Sequence, residues 1–121
     1  MDIEILDFTE AGYSPVLTYG SWRVAILNYL DKLKRENLTY LERHLETDEA
    51  FILMQGEATL FIGKSTCEYV MEKYKVYNVK KNAWHAISLS PDAKVLIVEN
   101  ADTGKENTEY IDIITKERIT R

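Results

Sequence analysis

Cysteine is almost missing from this chain. Cys67 stands alone among 121 residues, so no intrachain disulfide can form. Its flanks, Ser65-Thr66 and Glu68-Tyr69, bring no cation that would lower a thiol pKa. Cys67 therefore reads as a buried, inert thiol. Long apolar runs are missing too. None approaches the roughly 20 residues that a membrane-spanning helix needs, and no basic-then-apolar leader opens the chain. We therefore expect a soluble, cytoplasmic protein with no membrane partner. Positive charge is in deficit, with 15 basic against 20 acidic residues and a net charge of -5. That balance disfavours non-specific contact with nucleic acid. The sequence contains no Gly-x-Ser-x-Gly elbow, no phosphate-cradling glycine loop and no Cys-x-x-Cys pair. Those gaps argue against common hydrolase, nucleotide and dithiol chemistries, and we expect no organic cofactor.

What is present is concentrated between Glu42 and Gly56. Glu42, His44, Glu46, Asp48 and Glu49 crowd the first half of that stretch, and Ala50-Phe51-Ile52-Leu53-Met54 fills the second. Carboxylates and imidazoles are the groups that hold metal ions or handle protons. The other of the two histidines, His85, follows Trp84 far along the chain.

With 45% hydrophobic residues the chain can bury a true core, and 1–121 is most simply one domain. Ile3 to Phe8 reads as a short edge strand, and Gly12-Tyr13-Ser14-Pro15 as a loop. In Trp22 to Tyr29, period two places Trp22, Val24 and Ile26 on the buried face and Arg23 on the other. Leu30 to Leu45 has two readings. Leu30, Leu33, Leu41 and Leu45 fit a helical stripe. Alternatively Asp31 to Asn37 is a charged loop and a strand starts near Leu38. A helix would set Glu42 and His44 about 200° apart around its axis, whereas a strand sets them side by side. The basic run Lys32 to Arg35 reads as a solvated face or loop. From Ala50 onward, strand-length segments alternate with turns up to a final strand at Glu109 to Ile114, after which Thr115 to Arg121 should fray. Short strands at regular spacing without a long helix predict an all-β antiparallel sandwich or barrel.

The residues His44, four positions, Glu49, six positions and Gly56 resemble the first motif of the cupins, the double-stranded β-helix family. In that motif a glycine is followed after five residues by His-x-His, and then by a glutamate and a glycine. Here Glu36 and Glu42 stand at the leading glycine and the first histidine. In the second motif His85 matches the histidine, and Lys80, Asn82 and Leu89 stand in place of a proline, a glycine and an asparagine. The resemblance covers roughly 36–89. It implies a cupin-type jelly roll, a strand rather than a helix at Glu42 and His44, and a pocket inside the barrel.

That fold would bring Glu42, His44, Glu49 and His85 together as a two-imidazole, two-carboxylate set suited to Fe(II), Mn(II), Ni(II) or Zn(II). The same four groups could instead form a metal-free polar cluster. Tyr40 and Trp84 would line the pocket for a small polar or sugar-like molecule, while Tyr77 and Tyr110 read as ordinary strand residues. Arg43 alternates outward. Thr47-Asp48 read as turn residues; Glu99-Asn100, which ends a strand, and Asn107-Thr108, which opens the last one, read first as turn residues, although either pair could rim the pocket. Two functions stay open: a metal-dependent enzyme on a small molecule, or a non-catalytic, metal-free ligand-binding protein. Apolar strands and an unattached N-terminal segment suggest a homodimer.

Overall fold

A computed structural model describes residues 2–121. Eleven strands build two antiparallel sheets that face each other. In chain order they are β1 (Gly12–Tyr19), β2 (Trp22–Asn28), β3 (Tyr40–His44), β4 (Glu49–Gln55), β5 (Ala58–Ile62) and β6 (Cys67–Val70). They continue as β7 (Val76–Val79), β8 (His85–Leu89), β9 (Lys94–Asn100), β10 (Thr108–Asp112) and β11 (Arg118–Ile119). One sheet has the order β1-β2-β9-β4-β7 and the other β11-β10-β3-β8-β5-β6. This is the antiparallel architecture expected from the strand spacing, in the jelly-roll form that the cupin resemblance implies. Among the described residues, helix is confined to three short 3-10 turns, two of them between β2 and β3. No helix among the described residues is long and apolar enough to cross a membrane.

Inward-facing side chains at period two fill the space between the sheets. Leu53, Leu60 and Val95 are fully enclosed there, packed with Ala25, Leu27 and Phe51. Burying side chains of this size contributes about 1.5–3 kcal/mol each. Gly56, between β4 and β5, holds a left-handed φ of +76°, and a Cβ there would sit 2.7 Å from Ala93 Cα. Only glycine fits that turn without strain.

The structure corrects several expectations. Residues Ile3 to Phe8 form no strand; the sheet edge is β1, which runs through Pro15. An edge tolerates the missing N–H of proline, and the register slips between Pro15 and Leu17. In β2 the faces are reversed: Ala25 and Leu27 are buried, and Arg23 shares their side. Trp22 is instead largely exposed on the outer surface against Tyr19. Cys67 is exposed, not buried, because β6 is an edge strand with every residue open to solvent. Residues after Ile114 do not fray. Asp112 Oδ1 accepts the N–H groups of Ile114 and Thr115, both at 2.8 Å, and turns the chain so that β11 pairs with β10.

Candidate functional site

The helix-or-strand question at Glu42 and His44 resolves to strand: both lie in β3 and line one cavity. In the register, Glu42 faces His85 across β3 and β8, and His44 faces Thr108 across β3 and β10. Glu49 opens β4 in the opposite sheet. The connection from β3 to β4 is fixed by its own side chains. Thr47 Oγ1 donates to Asp48 O at 2.6 Å and accepts the Asn100 N–H at 3.1 Å. Asp48 accepts the Lys81 N–H at 2.8 Å and the Asn78 amide at 3.0 Å. The turn role expected of Thr47 and Asp48 is therefore the one they have.

This arrangement aims two imidazoles at one oxygen. His44 Nε2 and His85 Nε2 each lie 3.0 Å from Glu49 Oε1. Glu42 Oε1 stands 3.9 Å from His44 Nε2 and 3.8 Å from His85 Nε2. The far side of each ring is also engaged, His44 Nδ1 with Thr108 Oγ1 at 2.9 Å and His85 Nδ1 with the Ala83 carbonyl at 3.0 Å. Phe51 meets His85 edge-on at 6.1 Å between centroids. His44, Glu49 and His85 are buried, and Glu42 is half-buried.

Burial and pairing work against each other here. Burial alone would lower the pKa of His85. The hydrogen bond and charge of Glu49 overcome it, with help from Glu42 and the Ala83 carbonyl, and His85 is pushed up to about 9. His44 moves in the same direction for the same balance of causes. Burial would raise the Glu49 carboxyl, but the two imidazole N–H groups hold it well below the usual carboxylate range. Glu42 goes up, driven first by burial and partly offset by His85.

Sequence reasoning ranks a turn role first for Glu99, and the structure instead makes it part of a second layer beside Glu49. Glu99 closes β9, faces inward and is buried. Arg23, directly opposite it in β2, donates to Glu99 Oε2 from Nε at 3.0 Å and from Nη2 at 2.8 Å. The remaining guanidinium donors reach the carbonyls of Ala101 (3.0 Å) and Thr103 (2.9 Å). The Tyr13 hydroxyl also donates to Glu99 Oε2. Burial and the neighbouring Glu49 charge raise the Glu99 carboxyl pKa, and burial beside Glu99 raises that of Tyr13. The alternation of β9 was the available signal, because it places Glu99 on the same face as Val95 and Ile97. Thr108, at the start of β10, likewise lies in this layer as the partner of His44.

The cavity above these groups measures about 650 Å³. That volume is typical of a small-molecule site. Leu27, Leu30, Leu33, Leu38, Ile87 and Ile97 line much of it. Tyr40 is part of its wall, and so is Tyr110, whose ring meets that of Tyr40 edge to face at 5.7 Å. Tyr110 is thus more than an ordinary strand residue. Trp84 is not in the wall. It packs with Leu41 and Ile111 in a separate cluster, under the Arg43 guanidinium at 4.5 Å. Arg43 is outward as expected and pairs with Glu109 at 2.7 Å.

The donor set fits a metal ion. Ligand bonds of about 2.0–2.2 Å put neighbouring ligand atoms roughly 3–3.5 Å apart, and the four atoms here are spaced from 3.0 to 3.9 Å along the pairs given. Glu42, His44 and His85 form one group able to hold an ion, and His44, Glu49 and Glu99 form an overlapping one. An imidazole that donates from Nδ1 to a fixed acceptor leaves Nε2 as the ligating atom, and His85 has that acceptor in the Ala83 carbonyl.

No protein-family model matches the chain, and no curated protein is similar to it in sequence. Solved structures are similar in fold. A cupin-2 domain protein from Shewanella frigidimarina superposes with a TM-score of 0.60 at 16% identity, over 77% of this chain and 84% of that one. Pac13 from Streptomyces, described as a nucleoside dehydratase, superposes at 0.65 with 8% identity, over 92% and 88%. KdgF from Halomonas superposes at 0.58 with 12% identity, over 85% and 91%. At such identities the likeness concerns architecture: this chain has the cupin fold, with its inward carboxylates and imidazoles at one end of the barrel.

Proposed function

We propose that the chain binds a divalent transition metal through Glu42, His44, Glu49 and His85, and acts on a small molecule held in the cavity above them. The observation that carries this reading is the convergence of two Nε2 atoms on one carboxylate oxygen, each ring held from behind at Nδ1. The donor types suit Fe, Mn, Ni or Zn. When bound, such an ion supplies a Lewis acid that polarises a ligand oxygen. The chain's own part is orientation and exclusion. Ala83 O and Thr108 Oγ1 fix the ring planes, Arg23 and Tyr13 pin Glu99 beside Glu49, and Phe51 closes the floor behind His85. An iron(II) form of HppE, similar in fold at 16% identity, lends support to the metal. Elemental analysis of protein purified without added metal, followed by titration with Zn(II), Mn(II) and Fe(II), tests the proposal. No bound metal and no uptake would overturn it.

A second reading keeps the pocket and dispenses with the metal. It rests on a specific observation: among the described residues no buried side-chain nitrogen or oxygen lacks a hydrogen-bond partner. The imidazoles and Glu49 satisfy each other, and would bind a polar or sugar-like ligand by hydrogen bonds. Stabilisation by a ligand without metal in a thermal-shift screen would favour this reading.

We also propose that the chain is a single domain and associates as a homodimer. Ile3 and Ile5, 64% and 87% exposed, sit on a segment that has no strand partner within the chain. Pairing that segment with a second copy would bury them. A monomer mass in light scattering would count against it.

A further inference from the structure

The cavity is acidic at its floor and basic at its rim. Lys32, Lys105 and Arg121 line it and are exposed, and none of the three forms an ion pair among the described residues. The contrast is clearest for arginine. Arg23, Arg35, Arg43 and Arg118 are each paired with a carboxylate. Arg121 instead lies over the Tyr40 ring, its guanidinium carbon 3.9 Å from the ring centroid and 5.9 Å from that of Tyr110. A stacked guanidinium spends its face on the ring and keeps its N–H edge free. That edge is a fork matched to a carboxylate or phosphate.

A simpler account would have the rim cations attracted by the buried carboxylates. Lys32 does act on Glu42. However, Glu49 already has His44 and His85, and Glu99 already has Arg23. Arg121 is held on an aromatic face and does not reach toward them. Asp31 is the one carboxylate among the exposed lining residues. Counted over side chains, three unpaired cations stand against one acid at this rim, in a chain whose net charge is -5.

We propose that this rim is an anion subsite. Arg121 on Tyr40, with Lys32 and Lys105, receives the carboxylate or phosphate of a ligand. The ligand's body lies against Leu30, Leu38 and Ile87, and its far end reaches the histidine floor. The inference rests on the reading of the cavity as a small-molecule site and not on metal at its floor.

Phenylacetate, phenyl phosphate and the neutral phenylacetamide, titrated calorimetrically into the full chain with and without Zn(II), test it. Both anions should bind at least about tenfold more tightly than the amide. Their affinity should fall with added salt while that of the amide does not. The tighter of the two anions identifies the group the rim prefers. Arg121→Gln should weaken both anions about tenfold and leave amide binding and Zn(II) uptake unchanged. Arg121→Lys should recover only part of the loss, because it restores charge without the fork. Equal binding of anions and amide, no anion binding, or full anion affinity in Arg121→Gln would each overturn the subsite. Absence of Zn(II) uptake with the anion preference intact would remove the metal reading and leave the subsite standing.

Discussion

Strands β4, β8 and β9 each run from one end of the barrel to the other and change chemistry on the way. β4 carries Glu49 at one end and Leu53 at the other, β8 His85 and Leu89, β9 Glu99 and Val95. The two ends are equally shielded from water. Glu49, His85 and Glu99 are 5%, 3% and 5% exposed, and Leu53, Leu89 and Val95 are 1%, 5% and 0%. The apolar end is stabilised by leaving water. The polar end must recover through hydrogen bonds what desolvation costs it. Stability and chemistry thus occupy opposite ends of the same strands, and substitutions at the two ends should separate them.

The largest effect is expected at the apolar end. Leu53→Ala removes a side chain enclosed on all sides and should lower unfolding stability by about 2–5 kcal/mol in urea titration. Metal bound per folded molecule should not change. Gly56→Ala should cost less, on the order of 1–3 kcal/mol, since it combines a left-handed φ with a Cβ crowding Ala93. A stability unchanged in both would mean that the apolar end is not packed as described.

At the polar end the readout changes. Glu49→Gln removes the negative charge that both Nε2 atoms address. Metal affinity should fall by more than the roughly 10–100-fold that loss of an outer-shell partner costs. In the metal-free variant the His85 pKa should drop from about 9, because the first cause of its elevation is gone. Imidazole NMR titration measures that directly, and a His85 resonance still titrating near its wild-type pH would refute the assignment.

The same pair sets the pH response. The raised pKa of His85 means that its pairing stabilises the metal-free fold fully below the ordinary imidazole pKa of about 6.5. That contribution is lost as pH rises through about 9. Glu49, held low, contributes above the ordinary carboxylate range, and its share is lost as pH falls through its depressed pKa. Metal binding needs neutral imidazoles, so affinity for Zn(II) should climb over the interval in which the metal-free fold weakens. Denaturation between about pH 6.5 and about pH 9 should show stability falling with chelator and staying nearly level with Zn(II). Parallel slopes would show that the imidazoles are not ligands.

The legibility of the site followed sequence distance. The spacing of His44, Glu49 and Gly56 falls within one strand-turn-strand unit, and period two alone sets Glu42 beside His44. Trp84 was misplaced although alternation contained the answer: the residue just before an inward His85 points away from the cavity, and Trp84 packs with Leu41 and Ile111 instead. The pairing of Glu99, unlike its inward facing, was illegible for another reason. Its partners Arg23 and Tyr13 lie 76 and 86 positions away, and only the closed sheet brings them opposite it. The reversal of β2 has the same origin. A guanidinium belongs on the solvent side until a buried carboxylate claims it. The pairing of β11 was invisible because it depends on the carboxylate of Asp112 turning the backbone, with no apolar pattern to announce it.

The smallest expected effect lies at the turns, where this chain departs from the cupin second motif. The motif asks for glycine where Asn82 stands, and Tyr74 lies in the turn before β7. Both residues hold the glycine conformation, with φ of 69° and 70°. Backbone geometry survives here without the residue that makes it easy, which is why the motif is faint in the sequence while the turn is intact. Asn tolerates this region by local hydrogen bonding, whereas a tyrosine pays roughly 1–2 kcal/mol for it. Tyr74 is 72% exposed, so removing its ring sacrifices little packing. Its backbone N–H, which donates to Leu53 O at 3.1 Å, is kept by glycine. Against the relief stands the extra freedom of glycine in the unfolded chain, about 0.5–1 kcal/mol. Tyr74→Gly should therefore stabilise the fold by up to about 1 kcal/mol, and Asn82→Gly should be close to neutral. Thermal and urea unfolding of the two variants measure the difference, and a destabilised Tyr74→Gly would mean that the exposed ring is covered by something outside the chain.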